Sequence, residues 1–494
     1  MTVSAEVRPP KQRTRRNLEL FLLLPSLAVV ALADFLVSVS PVGSSVEDRS
    51  WITHVAVMGA LALGMNISLR IWAKYADPFI LPIVVAINGI GLAMIHRLDL
   101  GHATPTTVAT NQLIYTGLGM ACAVILLWTI RDHRILRPFT YIWLAASAAL
   151  LIMPLVPGLG QTINGAKIWI HIGPFGIQPG EFAKITLALF FASYLGSKRD
   201  LILLAGKKIG PIQLPRVRDM APMLVAWLAA LAVLVLQKDL GSAILFFGLF
   251  MVMIYVATGR VSWIAIGLAF IAAGGALAML FVSHVQARVN VWLNVFDPEI
   301  YNRAYGGSRQ VAQGLFALAN GGIFGTGIGE GQPNSVSLAN SDMIYTALGE
   351  ELGLVGLAAI VMLYLLLFSR GLRAAIGARD GFGKLLAIGL SFTLCLQLFV
   401  VTAGVLRVMP LTGLTTPFLS AGGSSLLANW ILVALLLLIS HNARRPATGG
   451  SALSTEDEGA IERRLRVQEA SALDATPEQA LPRPSAARTE GGLA

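Results

Sequence analysis

Asp297 and the pair Glu181 and Lys184 are the residues whose types and spacing best suit chemistry. Asp297 follows the bulky apolar run Val291 to Phe296 and precedes the rigid Pro298. Such a setting strips water from a carboxylate and raises its pKa toward that of a useful general base. The other reading of an Asp-Pro step is a plain turn. Arg288, Arg303 and Arg309 lie in the same stretch and could hold a pyrophosphate, because guanidinium forks match phosphate oxygens. Glu181 and Lys184 are three residues apart, so on a helix they share a face and can pair where a lone charge in lipid is costly. Either they form a structural ion pair, or they line an outward cavity and, with Lys167, position an anionic headgroup.

Further polar residues sit where apolar segments begin or end. Gln178 and Pro179 open the segment that carries the pair, and the missing N–H of proline costs nothing in a first turn. Asp239, within Gln237 to Ser242, is set to N-cap the next segment, with a contact to the site as a second role. Asp342 opens a segment that soon reaches Glu350 and Glu351, roughly 12 to 14 Å further along a helix. Adjacent helical positions diverge by about 100°, so only one of these glutamates can face a given cavity. They read as functional carboxylates or as buried helix-to-helix hydrogen bonds. The run Thr416 to Ser425, with Gly422, Gly423 and Ser424, permits close backbone approach to a ligand, or a re-entrant turn without chemistry.

Membrane spans must position these groups. Apolar residues make up 55% of the 494 and charged residues 13%, with a mean hydropathy of +0.70, a balance that a water-soluble domain could not hide. Twelve segments could cross a bilayer, with cores at 18–40, 51–73, 78–96, 112–130, 138–156, 180–197, 219–237, 240–259, 262–282, 343–369, 384–406 and 424–441. Lipid offers no partner to an unpaired amide, and no alternating pattern suggests a barrel, so the expected fold is an all-α polytopic membrane protein of about 12 helices. Lys and Arg number 28 over the N-terminus, every second connection and the C-terminal tail, against 8 over the other connections. This positive-inside bias puts both termini in the cytoplasm and the 283–341 loop outside. It also removes the nucleic-acid reading that a net charge of +10 invites.

The 283–341 loop is far longer than ordinary connections. Its Trp292, Phe296, Tyr301, Tyr305 and Phe316 argue for a folded cap over disorder. The expected organisation is a basic cytoplasmic N-terminus (1–16), five N-terminal helices (17–156), a core with the large loop (157–441) and a disordered cytoplasmic tail (442–494). The first span is too long for a cleavable leader and is expected to remain as an anchor. Asp34, near its outer end, reads as interfacial. Cys122 and Cys395 fall mid-segment and read as small apolar residues. There is no phosphate-binding Gly-Lys-Ser/Thr loop, the run Gly325 to Gly329 follows no strand as a dinucleotide site requires, and the seven histidines lack metal-ligand spacing.

Taken in order, these segments resemble the SEDS family (shape, elongation, division and sporulation), the RodA/FtsW-like cell-wall proteins of bacteria. The resemblance rests on Asn164 to Ile170, Gln178 to Lys184, Gln237 to Ser242, Arg288 to Pro298, Asp342 to Gly353 and Pro417 to Ser425. It implies a peptidoglycan glycosyltransferase that polymerises lipid II at the outer face of the cytoplasmic membrane, working with a class B penicillin-binding transpeptidase. It also implies catalysis by Asp297, with substrate contacts from Lys167, Trp169, Gln178, Glu181, Lys184, Asp239, Arg288, Asp342, Glu351 and Ser424. No resident cofactor is implied beyond a divalent cation such as Mg2+ as optional counter-charge to undecaprenyl pyrophosphate. Departures from the usual pattern are a shorter spacing before Asp297, Ile168 in place of an arginine and Lys238 in place of a proline. The family core has ten spans, so two of the five N-terminal helices are additional, an arrangement similar to RodA-like members of actinobacteria. A lipid II flippase and a division-specific polymerase are the alternatives.

Overall fold

The computed structural model describes residues 14–40, 49–102, 106–163, 165–173, 175–204, 206–209, 212–215, 217–303 and 306–446, and their side chains except at 172, 175 and 199–220. Asn164, Tyr305, the side chains of the basic run Arg199 to Arg218, residues 1–13 and the tail beyond Pro446 lie outside the described residues. Each of the twelve apolar segments is a helix. In chain order come α1 (Arg16–Val39), α2 (Ser50–Trp72), α3 (Ile80–Leu100), α4 (Val108–Thr129) and, after a 3-10 turn at His133–Phe139, α5 (Thr140–Ile152). Strands β1 (Gly160–Ile163), β2 (Ala166–Ile172) and β3 (Phe175–Ile177) precede α6 (Pro179–Leu204), and β4 (Gly206–Ile209) and β5 (Ile212–Pro215) precede α7 (Val217–Gln237), α8 (Leu240–Thr258) and α9 (Ser262–Phe281). The large loop holds α10 (Ser283–Leu293), α11 (Pro298–Tyr301) and α12 (Arg309–Gly321), and the chain continues through α13 (Ile344–Gly377), α14 (Gly381–Val405) and α15 (Gly423–Arg444).

Among the described residues ten helical runs are long and apolar enough to cross a membrane, which makes the chain a multi-pass membrane protein. The other two of the twelve are α6, with Glu181 and Lys184 in its first turns, and α7, whose apolar part is Ala221–Gln237. Helices α3 and α15 are buried on nearly all sides and form the centre of the bundle. Lipid tails are as apolar as leucine, so close packing holds such helices together. Gly89 shows this: a Cβ there would lie 2.0 Å from Val30 Cγ2, so α1 meets α3 only because the side chain is absent. Helix α9 lies at the periphery, with Trp263 and Gly267 its buried residues.

Two connections depart from the all-helical expectation. Strands β1, β2 and β3 form an antiparallel meander, with Gln161 opposite Trp169 and Ile170 opposite Ile177. Isoleucines at 168, 170 and 172 alternate with Lys167, Trp169 and His171, the period of two that a strand requires. The second is the β4–β5 hairpin. The large loop is a folded cap as its aromatic content suggested: Val295, Val311 and Ala312 form a small core of their own, and the Phe296 and Phe316 rings stack at 5.8 Å.

Helix α13 is interrupted at Gly353, whose φ of 67° and ψ of −172° only glycine adopts freely. The Gly-rich stretch after α12 supplies the missing backbone partners. Thr326 N–H donates to Glu350 O at 2.9 Å and Gly327 N–H to Glu351 O at 3.0 Å, while Leu354 and Val355 donate to Gly322 O and Ile323 O at 3.0 and 3.1 Å. A helix break at membrane depth persists only where other backbone satisfies it.

Candidate active site

Lys184 is the centre of a buried network at the start of α6. Its ammonium donates to Glu181 Oε2 at 2.6 Å, Asn429 Oδ1 at 2.9 Å and Gln397 Oε1 at 3.1 Å, and the side chain is 1% exposed. An ammonium has three donors, so all three are engaged. The two amides are themselves fixed. Gln397 Nε2 donates to Thr415 O at 2.8 Å, which ties α14 to the segment before α15, and Asn429 Nδ2 donates to Ser425 Oγ at 3.2 Å, one turn back on α15. Sequence reasoning missed Gln397 and Asn429, although polar residues inside apolar helices were a usable signal.

A second charged group lies beside this network. Asp239 caps α8 by accepting from Ser242 N–H at 3.0 Å, the capping role its position suggested. Burial raises its pKa against the pull of the Ser242 hydrogen bonds and Arg288, and the Glu181 charge adds to the rise. Arg288 donates from Nη1 to Leu411 O at 2.8 Å. Burial lowers its pKa, and Asp239 and Asp342 act in the opposite sense. Asp342 is half-buried, and desolvation pushes its carboxyl up to about 6 despite Arg288 and a hydrogen bond from Ser341. Both groups face Gly413, where a Cβ would lie 3.6 Å from Asp342 Oδ2 and 4.0 Å from Arg288 Nη2. His284, one helical turn before Arg288 on α10, belongs to this neighbourhood and was also missed. Burial lowers its pKa, and the Arg288 and Lys238 charges lower it further.

Asp297 is exposed, not desolvated as its sequence context suggested. It N-caps α11, accepting from Glu299 N–H at 2.8 Å and Ile300 N–H at 3.4 Å, with Pro298 as the first helical residue. Of the run before it, Val295 is buried in the small core of the cap with Val291 packed against it, while Leu293 and Phe296 are themselves exposed, so the carboxylate is left in the open. Among the described residues no hydrogen bond or ion pair joins Asp297 to Glu181 or Lys184. Nor do the three loop arginines converge: Arg309 lies over the Tyr301 ring at 5.8 Å, Arg303 is exposed and Arg288 points to Leu411.

The other predicted residues divide in the same way. Lys167 and Trp169 lie on β2, and the Lys167 ammonium donates to Leu155 O at 3.3 Å, away from Lys184. Gln178 N–H donates to Ser424 Oγ at 2.9 Å, and Ser424 reaches Gly176 O at 3.4 Å, so these residues join the meander to α15. Glu351 is turned away from the Lys184 network: Arg97 Nε lies 2.9 Å from its Oε1, and Gly329 N–H donates to Oε2 at 3.0 Å. Its partner Arg97 went unnoticed because it sits on α3, far away in sequence. Asp34 is buried at 1% exposure, not interfacial, and meets His54 and His96.

The fold and this network define a multi-pass membrane protein with polar groups gathered inside the bundle. The model of the FtsW/RodA/SpoVE family, described as cell cycle proteins, matches residues 77–445. The chain is 48% identical over 450 residues to the peptidoglycan glycosyltransferase RodA of Mycobacterium tuberculosis, covering 89% of this chain and 93% of that one. It is 45% identical to the RodA of Mycobacterium leprae over 89% and 93%, and 32% identical to a probable peptidoglycan glycosyltransferase FtsW of Trichlorobacter lovleyi over 77% and 97%. Among solved structures it matches a chain of a peptidoglycan synthase complex described as coordinating polymerization and crosslinking, at 27% identity and a TM-score of 0.60, over 75% of this chain and 99% of that one. It also matches the rod shape determining protein RodA of Thermus thermophilus at 27% identity and a TM-score of 0.51, over 75% and 98%. The chain belongs to the FtsW/RodA/SpoVE family, and it is a membrane-embedded glycosyltransferase.

Proposed function

We propose that the chain polymerises lipid II into glycan strands at the outer face of the cytoplasmic membrane, in support of cell elongation and shape. The observation that carries this reading is the charged group Asp239, Arg288 and Asp342 beside the buried Glu181 and Lys184, drawn from four separate parts of a chain of this family. Higher identity to RodA than to FtsW proteins favours elongation over division. The 28 to 8 charge bias supports cytoplasmic termini and an outward cap.

In the proposed reaction Asp297 takes the proton from a sugar hydroxyl of one lipid-linked disaccharide. The freed oxygen bonds to the anomeric carbon of a second, and the bond from that carbon to undecaprenyl pyrophosphate breaks. A carboxylate that is exposed in the free enzyme gains its desolvation when a substrate covers the cap. Arg288 answers the charge on the leaving pyrophosphate. A divalent cation such as Mg2+ would supply further counter-charge there, and Asp239 and Asp342 offer the hard oxygen donors it takes. Lys184, with its donors engaged, holds α6, α14 and α15 in register beneath the site. The partner is a class B penicillin-binding transpeptidase, in keeping with the synthase complex to which the fold is similar.

The test is glycan polymerisation from purified lipid II in detergent. Wild type should form polymer and Asp297→Asn should form about 10²-fold less or fainter still. Equal polymer from both removes the base assignment, and polymer from neither favours transport or scaffolding.

A further inference from the structure

Asp34, His54 and His96 bring three metal-binding side chains together inside the bundle, from α1, α2 and α3. Asp34 Oδ1 lies 2.6 Å from His96 Nδ1, and Oδ2 lies 2.9 Å from His54 Nδ1. The three donor atoms lie within 4.8 Å of one another, and all three residues are buried. The two imidazoles stand edge to face, 4.8 Å between centroids and 86° between planes, so both Nδ1 atoms converge on one carboxylate. Asp34 is near the end of α1, His54 near the start of α2 and His96 near the end of α3, so the cluster sits at one end of these helices.

We infer that this cluster is a binding site for a borderline divalent transition cation, with Zn2+ as the species that fits. Two imidazole nitrogens and one carboxylate oxygen are a common zinc donor set, and three protein ligands leave a position for water. Zinc holds its ligand atoms about 3.3 Å apart in a tetrahedron, a spacing inside the 4.8 Å within which these three donors already lie. The next layer of contacts fits as well. His96 Nε2 lies 2.9 Å from Ser50 Oγ, and a metal-bound histidine characteristically donates its other ring N–H to such an oxygen. With metal at Nδ1 the ring proton moves to Nε2 and donates to Ser50. Without metal each Nδ1–H donates to Asp34, and the Ser50 hydroxyl reverses its role.

Two of the three ligands lie on α1 and α2, outside the stretch matched by the family model, and His96 lies inside it. A bound ion would staple the two additional helices to α3. It would do so one residue from Arg97, which holds Glu351 and the interrupted part of α13.

The test uses the full chain purified in detergent without a polyhistidine tag, stripped with a chelator and then equilibrated with Zn2+. Elemental analysis should find about one tightly held equivalent per chain, and Zn2+ should raise the melting temperature. Asp34→Asn and His54→Gln keep hydrogen-bonding capacity and should lose that equivalent, while Asp342→Asn should keep it. Co2+ loaded into the wild type should give the visible d–d bands of a tetrahedral site, a reading that needs no variant to fold. A stripped wild type that takes up no Zn2+, a Co2+ spectrum of free octahedral ion, or equal retention by Asp34→Asn would each reduce the cluster to a hydrogen-bond network.

Discussion

Arg97 Nε and Glu351 Oε1 meet at 2.9 Å with 2% and 0% of their side chains exposed, joining α3 to the interrupted part of α13. Arg97 also donates from Nη2 to Gly331 O at 2.9 Å, so one guanidinium holds both the helix and the loop that completes it. Removing one member of a buried ion pair strands the other charge and costs about 3 to 5 kcal/mol. Glu351→Gln should therefore lower the melting temperature in detergent, and Arg97→Met with Glu351→Leu should recover much of the loss. A variant with unchanged melting but lost polymerisation would instead return Glu351 to the substrate.

Asp297 offers a separation of charge from capping. Asn caps a helix about as well as Asp, whereas Ala does not, a difference of about 1 kcal/mol. Asp297→Asn should melt like wild type and Asp297→Ala slightly lower, with both low in polymerisation. Thermal unfolding measured beside lipid II turnover checks this. Activity that tracks the cap and not the charge would make the residue structural.

Lys184→Gln removes a donor that three acceptors on three helices share. Gln397 and Asn429 then lose their fixed partner, and leaving buried polar groups unsatisfied costs about 1 to 3 kcal/mol each. The expected result is a lower melting temperature and reduced activity together. Loss of activity with full stability would show direct substrate contact.

The carboxyl of Asp342 titrates at about 6 in the folded chain against an ordinary 3.8. Between those values the folded chain keeps a proton that the unfolded chain has released, so this contribution is present at low pH and is lost as pH rises from about 4 to about 6. Asp239, also raised, acts in the same direction. At Asp380 burial is outweighed by the hydrogen bond and charge of His133, the Gly383 N–H and Arg134, so its carboxyl is held low and its contribution fades only below this window. Unfolding measured across the window should show stability falling with pH, with a flatter profile for Asp342→Asn. An identical slope in both would remove Asp342 as the cause.

Gly353→Ala should be among the most damaging single-methyl changes. The added Cβ would lie 2.3 Å from Gly325 N and 2.5 Å from Ile323 O, in a backbone conformation that L side chains rarely adopt. A loss of about 2 kcal/mol or more is expected, read as a lower melting temperature, while Gly180→Ala, with open space around it, serves as the control.

The twelve helices, the membrane setting, the folded cap, the Glu181 and Lys184 pair and the Asp239 cap were all legible in the chain itself. Each rests on local facts: apolar length, aromatic content, a spacing of three, and a polar residue before an apolar run. The β2 strand carried a signal in its alternating isoleucines, but the all-helical expectation did not read it. What the chain could not reveal is who meets whom across long separations. Asp34 looked interfacial because its two histidine partners lie on other helices, and Glu351 looked like a substrate ligand because Arg97 is far away in sequence. Asp297 looked desolvated because its apolar neighbours were assumed to cover it, whereas Val295 enters the core of the cap and Leu293 and Phe296 are themselves exposed. Side-chain pairing in a helical bundle depends on how helices rotate and approach one another, and that is decided only by packing over the whole molecule.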